Sequence, residues 1–128
     1  MNIFKRIPVY IKIYENSIVI HRLDNSKSLN GTSNFSDSRI IVANFEAFEL
    51  LLNKLLSELV PETKGYFASS LQIIVQQLER NNPKISEVEK RTIIESCERV
   101  NGIFVIYSEE IEELSLDKAK QKLFDLIN

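Results

Sequence analysis

The chain has 128 residues, 44% of them hydrophobic and 27% charged, which fits one ordinary domain and excludes disordered or collagen-like structure. Sixteen basic against eighteen acidic residues leave a formal charge of −2, unlike a chain that holds nucleic acid chiefly by neutralising phosphates. A single cysteine and a single histidine exclude a disulfide framework and leave almost no vocabulary for a zinc site.

After Lys5 and Arg6 the N-terminal segment is broken by Lys12 and Glu15, so no signal-peptide core forms. No apolar run approaches the ~20 residues that cross a bilayer. A soluble, cytoplasmic protein of one domain, residues 1–128, is expected. Val9–Tyr14 and Ser17–Leu23 are rich in β-branched and aromatic residues and read as a hairpin about Glu15-Asn16. In that register Ile13 faces Ile18 and Ile11 faces Ile20, with Tyr10 and Lys12 on the opposite side. A one-residue slip would set Ile11 against Arg22, so the pattern selects the first pairing. Residues 24–38 are almost wholly polar and are expected to form a mobile loop with Phe35 as an anchor. Arg39–Ala43 reads as a short buried strand.

Asn44 is a suitable N-cap, and Phe48, Leu51, Leu52, Leu55 and Leu59 form one helical stripe that Pro61 stops. Pro61–Ser70 reads as a connector with Gly65 as hinge and Tyr66-Phe67 as packing contacts. Leu71–Val75 is the next strand, followed by a turn at Asn81-Asn82-Pro83. Ser86-Glu87-Val88-Glu89 is a capping box opening a helix with Ile93, Ile94, Cys97 and Val100 inward, ended by Asn101-Gly102. Ile103–Tyr107 is a further apolar strand. Ser108 can cap an acidic turn at Glu109-Glu110. Ser115 can cap a last helix with Leu116, Ala119, Leu123, Phe124 and Ile127 inward.

The order β-β-β-α-β-α-β-α predicts an α/β fold, a mixed sheet covered by helices. It is the succession of the ribonuclease-H-like half-unit found in actin-like proteins. Two stretches add to this. Ile41-Val42-Ala43-Asn44-Phe45 before the leucine-rich helix is similar to the V-I-A-D-F segment of the bacterial actin-like, rod-shape-determining MreB family. Val88–Cys97 resembles that family's V-E-R-R-A-I-R-E-S-A helix, and Glu109-Glu110 falls on its paired glutamates. The resemblance covers most of residues 39–114 and, weakly, the hairpin. It implies the first subdomain of an actin-like fold, with Glu109 or Glu110 in the place of a water-positioning carboxylate. The family's phosphate-binding hairpin turn reads aspartate-leucine-glycine-threonine; here Ile11–Ser17 contains neither glycine nor aspartate. Without glycine the amides of a phosphate nest cannot approach closely. The second half of the fold, which supplies the remaining nucleotide contacts, has no counterpart in these residues.

Other chemistry is sparsely represented. A two-metal nuclease of the ribonuclease-H-like kind needs converging carboxylates; Glu15, Glu79 and Glu95 are candidates, read as ordinary surface glutamates. On a helix, Glu109 and Glu113 would share a face that could attract a divalent ion; acids at a helix start are the preferred reading, ahead of a partner-facing acidic patch. His21 reads as an exposed or packed strand residue and Cys97 as a buried small hydrophobe. Arg39, Lys90 and Arg91 form no basic stripe, so nucleic acid is not an expected partner. The expectation is a non-enzymatic, actin-like half-domain without catalytic, metal or cofactor residues, acting as a protein-interaction or self-association module, with a homodimer favoured. Candidate partner-facing residues are Tyr10, Lys12, Tyr14, Glu109, Glu110 and Glu113. The alternatives are a degenerate nucleotide-binding module completed by a second chain, or a metal-dependent nuclease.

Overall fold

A computed structural model of the chain describes residues 6–63, 69–78 and 86–127. The expectations for Gly65, Tyr66-Phe67, Glu79, Asn81-Asn82-Pro83 and the Ile127 side chain lie outside the described residues. Five strands form one open mixed sheet: β1 (Arg6–Tyr14), β2 (Ser17–Arg22), β3 (Ser28–Thr32), β4 (Ser70–Gln77) and β5 (Gly102–Tyr107). Their spatial order is β3-β2-β1-β4-β5, with β2 antiparallel to β1 and β3, and β4 parallel to β1 and β5. The helices are α1 (Phe45–Leu59), α2 (Glu87–Arg99) and α3 (Leu116–Ile127).

The hairpin takes the register its isoleucines require, Ile13 opposite Ile18 and Ile11 opposite Ile20. Asn16 bends the turn at φ 55°, a left-handed conformation that asparagine tolerates. Ile7, Val9, Ile11 and Ile13 of β1, with Ile18 and Ile20 of β2 and Leu71, Ile73 and Val75 of β4, pack beneath α1 and α2 in the main core. Tyr10 and Ile74 face the other way, into a smaller core closed by Leu114, Ala119 and Leu123. The sheet is therefore covered on both faces, as its long apolar strands demand.

Residues 24–38 depart from the expectation of a mobile loop: they contain β3. Of its five residues Leu29 and Gly31 face the main core, paired with Ile20 and Ile18. Gly31 lies so close under α1 that a Cβ there would sit 2.9 Å from Leu51 Cδ1. A polar strand with a glycine at its contact point carries no hydrophobic signature, which is why composition disguises it. Phe35 is the anchor, fully buried edge-on against Phe48 at 5.4 Å between ring centroids. The strand expected at Arg39–Ala43 is absent. Ile41 and Val42 are buried, but the Ala43 and Asn44 amides donate to Phe35 O at 2.8 and 2.9 Å instead of to a neighbouring strand.

Asn44 caps α1, its side chain accepting from Ala47 N. Both halves of the Ser86–Glu89 capping box are made at the start of α2. Ile93, Cys97 and Val100 are buried as the stripe predicts. Asn101 turns the chain at φ 76°, and Gly102 already opens β5, where a Cβ would lie 2.6 Å from Cys97 O. Phe124 differs from its inward assignment and is 61% exposed. Residues 108–115 are not helical. Glu109 and Glu113 consequently do not share a helix face. Among the described residues no helix is long and apolar enough to cross a membrane.

Candidate functional site

A polar interior lies where residues 108–114 strap across β1 and β4. Tyr10, at the centre of β1, is fully buried. Its hydroxyl donates to Gln76 Oε1 and accepts from the Leu114 amide at 3.1 Å. Gln76, also fully buried, uses its amide nitrogen to hold two strap carbonyls, Glu110 O at 2.8 Å and Glu112 O at 2.7 Å. One tyrosine and one glutamine thus fix three backbone groups of a segment with no regular structure, as buried backbone requires.

Lys12 continues the same face of β1. It is 8% exposed and pairs with Glu113, its ammonium 5.9 Å from the Tyr10 ring centroid. The ammonium beside Glu113, joined by the Tyr14 hydroxyl, holds that carboxyl below the usual range. Burial pushes the Tyr10 phenol up to about 12, opposed by its bond to the Leu114 backbone. His21 stacks obliquely on Tyr10 with centroids 6.0 Å apart. Burial, then the Lys12 charge, lowers its pKa, and its Nε2 has no hydrogen-bond partner. Two more of the strap's acids are tied outward. Glu110 bridges Lys122 at 3.2 Å and Lys118 at 3.5 Å, and Glu109 meets Lys90 of α2 at 2.9 Å.

The structure therefore gathers Tyr10, Lys12, Tyr14 and Glu113 into one cluster, with Glu110 beside it and Glu109 turned towards α2. Burial differs among them: Tyr10 and Lys12 lie inside, whereas the Glu109, Glu110 and Glu113 side chains stay 68%, 38% and 53% exposed. Tyr10 and Lys12, expected to face a partner, are covered by this chain's own strap, and Glu109, Glu110 and Glu113 each hold an internal ion pair. Gln76 was missed because the β4 reading stopped at Val75. Its signal was the alternation Gln72, Ile74, Gln76, which continues the strand by one polar inward position. Arg22 was missed too: it is 6% exposed, bonded to Asp24 Oδ1 at 2.7 Å, Glu62 Oε1 at 2.9 Å and Leu59 O at 3.3 Å. It fastens the end of the hairpin to the end of α1.

Other candidate chemistry is dispersed. Glu15 is exposed in the hairpin turn and Glu95 on the outer side of α2. Among the described residues no group of three or more histidine, cysteine, aspartate or glutamate side chains comes together. The hairpin turn is laced to the following loop: Asn16 N donates to Ser36 Oγ at 2.9 Å, and Asn16 Oδ1 accepts from Ser36 N at 2.8 Å. Cys97 is fully buried and its thiol is pushed up to about 12 by that burial, so it is no nucleophile.

The sheet margins contrast sharply. β3, at one margin, is short and polar. β5, at the other, reads Gly-Ile-Phe-Val-Ile-Tyr and, among the described residues, pairs with β4 alone. A bulge makes Ile103 an extra residue opposite the Leu71/Gln72 step, and Ile103 is 53% exposed. Phe104, Val105, Ile106 and Tyr107 are each partly exposed. An open groove between β5 and α3 is lined by Ile106, Tyr107, Glu109, Lys122 and Asp125.

Over 90 residues the chain is 32% identical to a protein of Escherichia coli (strain K12) described as "Uncharacterized protein YjaA", an overlap of 68% of this chain and 71% of that one. The chain belongs to the YjaA family. No protein-family model matches it. The YjaA relationship carries no stated activity, so function has to be argued from the geometry.

Proposed function

We propose that the chain is a non-catalytic, actin-like half-domain that works by binding protein at the β5 margin, in the setting of cell-shape or cytoskeletal machinery. The succession of elements and the mixed sheet support the ribonuclease-H-like reading. The resemblance to MreB supports the actin-like one: Ile41–Phe45 leads into α1 with Asn44 as its cap, and Val88–Cys97 lies on α2.

The observation that carries the binding role is β5. Edge strands of monomeric proteins are ordinarily blunted by charge, proline or brevity. Residues 103–107 are five successive apolar residues with no charge and no proline. A strand of this kind recruits another strand. Light scattering on the purified chain at tens of micromolar, beside Phe104→Lys, tests the role. Association in the parent that is lost in a folded variant supports it. A parent that stays monomeric and captures no added β-strand peptide refutes it.

A further inference from the structure

Ser108 N donates inward to Val75 O at 2.8 Å. In a parallel ladder alternate residues of a strand address the same neighbour, so the N–H and C=O groups of Val105 and Tyr107 point away from β4. Phe104 and Ile106 pair with Gln72 and Ile74 and share their side of the sheet, whereas Val105 and Tyr107 pair with Ile73 and Val75 and share the other. These two alternations are symmetrical about Val105.

Resting on the binding role proposed above, we infer that the occupant of the β5 margin is a second copy of this chain, with its β5 antiparallel and Val105 opposite Val105. In that register Val105 exchanges both backbone hydrogen bonds with its counterpart. Phe104 lies against Ile106 of the second copy on one face and Val105 against Val105 on the other, both apolar pairs, as a two-fold axis through the sheet requires; beyond them Tyr107 meets the bulged Ile103, where the regular alternation is interrupted. Charge favours the same direction: in this register each Glu109, its side chain 68% exposed and held by Lys90 of its own chain, falls opposite Asn101 of the second copy, whereas parallel pairing would set Glu109 against Glu109. The product is a continuous ten-stranded sheet bounded at both ends by the polar β3.

Disulfide trapping on the full chain reads the register. Phe104→Cys and Ile106→Cys are prepared separately, and native Cys97 is buried and stays out of reach. Facing residues at a non-hydrogen-bonded antiparallel position lie ~4.5 Å apart between Cα atoms, close enough to bridge. The mixture is expected to form a cross-linked heterodimer under mild oxidation, and neither variant alone is expected to cross-link. Ile103→Cys mixed with Tyr107→Cys asks the same question should either of the first pair misfold. Cross-linking by a single variant, or by an Asn30→Cys control on β3, overturns the inferred register while leaving self-association standing. If the parent associates and Phe104→Lys does not, yet no mixture cross-links, the antiparallel Val105 register falls; a parent that stays monomeric but captures an added β-strand peptide overturns the second copy as occupant while the β5 binding role survives.

Discussion

Replacing Tyr10 with phenylalanine removes one oxygen from the centre of β1 and leaves the ring in place. That oxygen donates to Gln76 Oε1 and accepts from Leu114 N, both in the interior. The variant forfeits two hydrogen bonds and strands a buried amide and a buried carbonyl oxygen. At about 1–3 kcal/mol for each unsatisfied group, with some relief from small shifts of the strap, the expected loss is about 2–4 kcal/mol. A domain of this size has ~5–15 kcal/mol in all. With a urea slope of about 2 kcal/mol per molar, the midpoint falls by ~1–2 M at unchanged slope. Amide exchange at Leu114 should accelerate further than at β2, because the strap loses its attachment before the sheet does. A loss below about 0.5 kcal/mol would mean that the strap is held by its ion pairs, and that the tyrosine and glutamine are incidental.

Three further outcomes follow from the same geometry. Glu113→Gln should destabilise more than Lys12→Met by urea midpoint, since the first leaves the buried ammonium uncompensated and the second removes the charge with its desolvation cost. Gly31→Val should cost about 1–3 kcal/mol and loosen β3, because its branches enter the space of Leu51 and Leu55. Stability should fall at both ends of the pH range. His21 has a depressed folded pKa, so the unfolded chain takes up the proton first and stability declines as pH drops below about 6.5. Depressed Glu113, Glu110 and Glu49 deepen that decline below about 4.5. Tyr10 and Tyr107 are raised to about 12, so their contribution is complete below about 10 and is lost towards 12. A flat thermal midpoint between pH 5 and 7 would remove His21 from this list.

The parts of the fold legible in the sequence are those in which one residue type has one use. The hairpin register follows from Ile11, Ile13, Ile18 and Ile20, α1 from its leucine stripe and Asn44, and α2 from a capping box. β3 was illegible because its work is done by a leucine and a glycine among polar residues. Arg39–Ala43 misled for the opposite reason: Ile41 and Val42 are buried, but by folding back on Phe35. The candidate site was half legible. Alternation placed Tyr10 and Lys12 together on one face, yet nothing local said that residues 108–114 would return to cover them. That covering depends on Gln76, whose partners are more than thirty residues away in sequence.

The β5 margin is best tested by hydrogen exchange on the parent chain across a range of concentrations, read residue by residue. Protection of the Val105 and Tyr107 amides should rise with concentration, while Asn30 on β3 and the inward-facing Ser108 stay constant. Rapid, concentration-independent exchange at Val105 and Tyr107, unchanged when a β-strand peptide is added, would mean that β5 remains an open margin and that the chain does not act through it.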